Sequence, residues 1–123
     1  MGYTNYWKQT KDFTNEEWDL VKKEYEYVLE ICKGIIINEG KNPKEIVFNG
    51  NPIGDLNHET FILRKKAKII SYEGLVKSKK LKKQMEGLNF CKTARKPYDL
   101  AVWHLLFFAK NKTKAITEIS RDR

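Results

Sequence analysis

The residues best suited to chemistry lie in Phe90-Cys91-Lys92-Thr93-Ala94-Arg95-Lys96-Pro97-Tyr98-Asp99, where a strand-like segment runs into a long apolar helix. Three cations, a hydroxyl and a thiol sit at the mouth of that helix. Pro97 suits its first turn, where a missing N–H costs nothing, and the unpaired amides of such a turn attract phosphate or carboxylate. Arg95 can bind a phosphate in bidentate fashion, with Lys92 and Lys96 adding charge and Thr93 a hydroxyl. Strand geometry divides the set, because Lys92 and Thr93 point to opposite faces. The competing reading is a solvated basic corner, and Asp99 disfavours an anion there unless it orients Arg95 or Lys92. Arg95 and Lys96 are the pair expected to touch a phosphate.

Other groups add to the candidate set. His58 and Glu59 are neighbours on a strand and face opposite ways, so they do not form an acid–base dyad. His58 alone could donate to a phosphate or serve as a general acid near neutral pH, although a histidine there more commonly caps a loop. Asn49 and Arg64 are further ligand candidates, and Tyr98 or Phe48 could stack on a base. Asn49-Gly50 reads as a turn with positive φ. His104 reads as a satisfied core histidine or part of a polar stripe. Cys91 would be activated by Lys92 and Arg95 if exposed, but a buried thiol is the commoner outcome. No spacing suits zinc, no carboxylate cluster suits two-metal catalysis, and no cofactor is called for. Lys77, Lys79, Lys80, Lys82 and Lys83, preceded by Lys65, Lys66 and Lys68, suit sequence-independent phosphate contact. The run lacks the aromatic platforms that read single strands, so a solvated loop is the simpler account.

The elements that must position these groups are readable in part. Thr14 and Glu17 form a capping box, with Phe13 and Trp18 as its hydrophobic staple. Trp18, Val21, Tyr25, Val28, Leu29 and Cys32 recur at helical spacing, and Gly34 suits C′. Ile35–Ile37, Glu45–Asn49, His58–Arg64 and Leu88–Thr93 read as strands, the middle two as an antiparallel hairpin. Residues 69–72 read as a further short strand. The helix after Pro97 is apolar nearly all round and should be covered on most sides. The aromatic residues 1–13 should pack across the body, and the last dozen residues should fray. The expected fold is α+β in a single domain, residues 1–123: an antiparallel sheet of four or five strands packed by an N-terminal amphipathic helix and a buried C-terminal helix.

The 123 residues carry 24 cations against 16 anions, a net +8 that favours nucleic acid, nucleotides or acidic surfaces. Two cysteines do not make a disulfide framework. There is no apolar secretion signal and no run long enough to span a membrane, so a cytoplasmic location is expected. A homodimer is a further expectation, since the aromatic N-terminus and exposed strand edges need cover.

The order FNG, HETF and FCKTARKPYD, preceded by WK and FT..EW, resembles a group of small uncharacterised proteins of phage and plasmid type. Matching positions are Asn49, Gly50, His58, Glu59, Phe61, Arg64, Cys91, Lys92, Thr93, Arg95, Lys96, Pro97, Tyr98 and Asp99. The resemblance covers Trp7 to Phe108 and implies a mobile-element origin, with the host cytoplasm as the site of action. The leading expectation is a non-catalytic protein holding a phosphorylated ligand, a nucleotide or nucleotide-derived signal, in a counter-defence role. Its site would combine Lys92, Thr93, Arg95 and Lys96 with Asn49, His58, Arg64 and Tyr98. The alternatives are a nucleic-acid-binding protein or inhibitor of a host nucleic-acid complex, and a phosphodiesterase- or nuclease-like enzyme using His58.

Overall fold

Thr14 opens the first helix as the sequence predicts. Its hydroxyl accepts from the Glu17 amide at 3.1 Å while the Glu17 carboxylate accepts from the Thr14 amide at 2.9 Å, which satisfies two donors that a helix start leaves unpaired. The Phe13 and Trp18 rings pack 5.3 Å apart across this cap. Helix α1 (Asn15–Ile31) buries Trp18, Val21, Tyr25 and Val28. Gly34 takes the left-handed φ of 88°, but two residues past the Cys32 cap rather than at C′.

The computed structural model describes residues 3–67 and 86–122. The strand expected at 69–72 and the lysine run 77–83 lie outside them. In chain order the strands are β1 (Thr4–Gln9), β2 (Ile36–Asn38), β3 (Glu45–Gly50), β4 (Phe61–Arg64), β5 (Leu88–Lys92) and β6 (Ile116–Arg121). The second helix, α2 (Asp99–Lys112), lies between β5 and β6. They form an α+β structure with two antiparallel three-stranded sheets, ordered β5-β1-β6 and β2-β3-β4. The β3–β4 hairpin is present as expected, with Phe48 opposite Phe61.

The single sheet of four or five strands is therefore corrected to two. The strand expected from His58 begins only at Phe61, because residues 58–60 are held as loop. They meet β5 at one backbone bond, Glu59 N–H to Lys92 O at 3.2 Å, not a ladder. Gln9 crosses between the sheets through its side-chain amide, which donates to Arg64 O at 2.8 Å.

β1 and β6 were not predicted as strands, and both have a physical disguise. The inward row of β1 is Asn5, Trp7 and Gln9, preceded by Tyr3, all buried, so polar residues interrupt its apolar alternation. In β6 the register slips by one residue opposite Lys8 and Gln9. This bulge puts Ile116, Ile119 and Arg121 opposite Gln9, Trp7 and Asn5. Within the last dozen residues, Ile116–Arg121 form a paired strand rather than a frayed end.

The core runs through touching rings. Trp7 lies 5.2 Å from Phe61, Phe61 lies 5.0 Å from Phe48, and Phe48 stacks 5.5 Å from Tyr25. One face of α2 completes it with Ala101, Val102, Leu105, Leu106 and Ala109. The other face is not covered by the described residues: Leu100 is 71% and Phe107 56% exposed. Apolar composition all round does not bury this helix all round. No helix among the described residues is long and apolar enough to cross a membrane.

Candidate functional site

The corner between β5 and α2 is built on an unusual backbone. Ala94 and Arg95 both take left-handed φ values, 52° and 59°, which costs non-glycine residues about 1 kcal/mol or more each. Four contacts hold them there. Thr93 N–H donates to Tyr3 O at 2.8 Å, Ala94 N–H reaches the same oxygen at 3.4 Å, and Lys96 N–H donates to Thr93 O at 3.0 Å. The Thr93 hydroxyl donates to Asp99 Oδ1 at 2.6 Å. The tight reversal separates the side chains that the sequence places side by side.

Arg95 projects to the surface, its guanidinium carbon 4.9 Å from the Tyr3 ring centre. Lys96 turns toward the 51–57 loop, where its ammonium donates to Asp55 O at 2.8 Å and pairs with the Asp55 carboxylate at 3.1 Å. Thr93 is fully buried and committed to Asp99, so it has no hydroxyl to offer a ligand. Tyr98 is also fully buried, and its hydroxyl donates to Glu59 O at 2.6 Å. Phe48 is enclosed in the core. Neither ring can stack on a ligand, which corrects both expectations. Lys92 is exposed, and its amide donates to Glu59 Oε1 at 3.2 Å.

The remaining candidates lie elsewhere. Asn49 is a clamp: its side chain donates to His58 O at 2.9 Å and accepts from His58 N–H at 3.0 Å. That fixes the His58 backbone, and His58 itself is exposed. Gly50 has no positive φ. A Cβ there would lie 1.8 Å from Leu56 O, so close backbone approach, not a turn, demands glycine. Arg64 sits in the other sheet, 3.3 Å from the Glu45 carboxylate. His104 is exposed rather than in the core and meets Glu24 at 2.8 Å. Cys91 is buried, and desolvation, helped by the negative charges of Glu59 and Asp99, pushes its thiol up to about 12. It is an inert core thiol. Among the described residues no cluster of three His, Cys, Asp or Glu side chains could hold a metal ion.

Asp99 does orient a cation, but a different one. Its buried carboxylate accepts from the Asn5 amide at 2.6 Å, from Thr93, and from the Arg121 guanidinium. Arg121 lies with its guanidinium carbon 5.1 Å from the Tyr3 ring centre and 4.7 Å from that of Trp103. Two arginines thus contact one tyrosine ring, at cation–π distances. Tyr3, Arg95, Pro97, Leu100, Arg121 and Asp122 border a shallow concavity of about 410 Å³, with Asp99 and Lys96 also in its wall. The Asp122 carboxylate accepts from the Thr4 amide at 3.0 Å. Arg95 has no carboxylate partner among the described residues.

Sequence reasoning missed Tyr3 and Arg121 because Tyr3 immediately precedes β1 and Arg121 ends β6, the two strands it did not recognise. The alternation of Tyr3 with Trp7 was the available signal. A second concavity of about 420 Å³ lies between α1 and the β2–β3 turn. Lys22 and Lys41 there are matched by Glu26 and Glu45, and Tyr25 donates to Asn38 at 2.7 Å. Its balanced wall favours no ligand charge, so the arginine-lined concavity is the better candidate.

No family model, curated protein or solved structure matches this chain.

Proposed function

We propose that this chain is a non-catalytic binding protein that holds a phosphorylated small ligand, a nucleotide or nucleotide-derived signal, in the Tyr3–Arg95–Arg121 concavity. The observation that carries this reading is the pair of guanidiniums at 4.9 and 5.1 Å from the Tyr3 ring. Arg121 is held in place by Asp99, while Arg95 has no described carboxylate partner. A planar fork of donors suits a phosphate, and Pro97 and Leu100 give the same hollow an apolar wall. The core chemistry around it is inert: Cys91 is buried and Thr93 and Tyr98 are engaged. In the mobile-element setting that the resemblance implies, the protein would act by sequestering a host defence signal.

The test is isothermal titration against a panel of linear and cyclic nucleotides. Binding to at least one is expected, weakened about ten- to a hundred-fold by Arg95→Ala through loss of a charged hydrogen bond worth about 1.5–3 kcal/mol. No heat with any nucleotide, or binding indifferent to Arg95→Ala, overturns the reading. Steeply salt-dependent binding to DNA or RNA without nucleotide binding would put a nucleic-acid partner in its place.

A further inference from the structure

The two helices run antiparallel, as two contacts show. Glu17 near the start of α1 accepts from the Lys114 amide just past the end of α2, at 2.8 Å. Farther along α1, Glu24 meets His104, ten positions earlier than Lys114, also at 2.8 Å. Around the Glu24–His104 contact the helical period sets an apolar stripe on each helix. On α1 it is Leu20, Tyr27 and Ile31, 48%, 59% and 63% exposed; on α2 it is Leu100 and Phe107 at 71% and 56%. Leu20 and Phe107 fall to one side of the polar contact, and Tyr27 and Leu100 to the other. The result is an apolar seam interrupted by one polar contact.

The charges beside this seam are segregated. α1 carries six carboxylates against two lysines in a chain of net +8. Glu16 lies at its N-terminal end, one turn before Leu20, and Lys110 lies one turn after Phe107 in the last turn of α2, at the same end of the antiparallel pair. We propose that this seam is the interface of a two-fold dimer of this chain, with the axis parallel to the helices. That axis lays α1 of one copy over α2 of its partner. Leu20 then faces the partner's Phe107, and Glu16, one turn before Leu20 on the same stripe, faces the end of the partner's α2 that carries Lys110, each twice by symmetry. An axis perpendicular to the helices would instead stack the acidic α1 on itself, so the charge pattern selects the first arrangement. A contiguous exposed apolar strip of this kind is uncommon on a chain that stays monomeric.

Sedimentation velocity on the intact protein from 1 to 100 µM tests this. Wild type is expected to dimerise, and Leu20→Glu with Phe107→Glu to raise the dissociation constant at least a hundred-fold with unchanged circular dichroism. Ile31→Glu, near the opposite end of the seam, gives an independent reading should that double variant misfold. Lys110→Glu should weaken the dimer at least ten-fold, and adding Glu16→Lys should restore it. A wild-type monomer at 100 µM, a dimer indifferent to the Leu20, Phe107 and Ile31 changes, or charge reversals that fail to compensate would overturn the proposal.

Discussion

Arg121 fastens the last described strand to the first turn of α2 by donating to Asp99, 22 residues earlier. The same carboxylate takes hydrogen bonds from Asn5 and Thr93, so one buried anion ties together β1, β6 and the β5–α2 corner. Removing it strands a cation and two polar groups. Asp99→Ala is expected to cost about 3–5 kcal/mol, seen as a lower urea midpoint. A loss under 1 kcal/mol would refute the role of Asp99 as the common anchor.

The glycines should separate by cause. At Gly50 a Cβ would strike Leu56 O at 1.8 Å, whereas at Gly34, with φ 88°, nothing lies within 4 Å. Gly34→Ala therefore costs only the left-handed strain of about 1–2 kcal/mol. Gly50→Ala must displace backbone and should cost more, so the two thermal midpoints should rank in that order below wild type.

The cap of α1 has a pH signature. Burial pulls the Glu17 carboxyl upward, but hydrogen bonds from the Thr14 and Lys114 amides and the Thr14 hydroxyl outweigh it and leave it below its ordinary 4.5. A lowered carboxyl stabilises the fold above pH 4.5, and that contribution fades as pH falls through the folded-state value. Thr14→Ala should cost about 1 kcal/mol at neutral pH. Its deficit against wild type in urea unfolding should shrink toward pH 3.

The thiols should differ in native chemistry. Cys32 is partly exposed and its thiol raised by burial; Cys91 is buried and pushed up to about 12. At pH 8 a thiol reagent should modify Cys32 slowly and Cys91 only after unfolding. Because the folded Cys91 value is raised, its contribution is complete below the ordinary 9 and is lost as pH rises toward about 12. Alkaline titration of wild type against Cys91→Ala should show the difference.

Local signals were legible where side chain and backbone obey the same rule. Thr14, Glu17, Phe13 and Trp18 announce α1 because a cap is a contact between near neighbours. Asn5, Gln9 and the bulge in β6 conceal two strands because their periodicity makes sense only beside each other. The site divided along the same line. Arg95 is a candidate from its place before Pro97 in the sequence. Tyr3 and Arg121 lie beside and within the hidden strands, and the consecutive left-handed residues Ala94 and Arg95 precede the turn of Lys96 toward Asp55, which side-chain types alone do not foretell.

The central position of β1 also orders events in time. Its neighbours are drawn from far along the chain: Tyr3 meets Thr93, 90 residues on, and Thr4 meets Asp122, 118 residues on. During synthesis β1 emerges with both edges open and cannot pair on either side until β5 and then β6 have followed. Such distant closure slows folding, while α1 and the β3–β4 hairpin need only local contacts. The order of assembly then departs from the order of translation for this strand, with an earlier-made segment docking between two later-made ones.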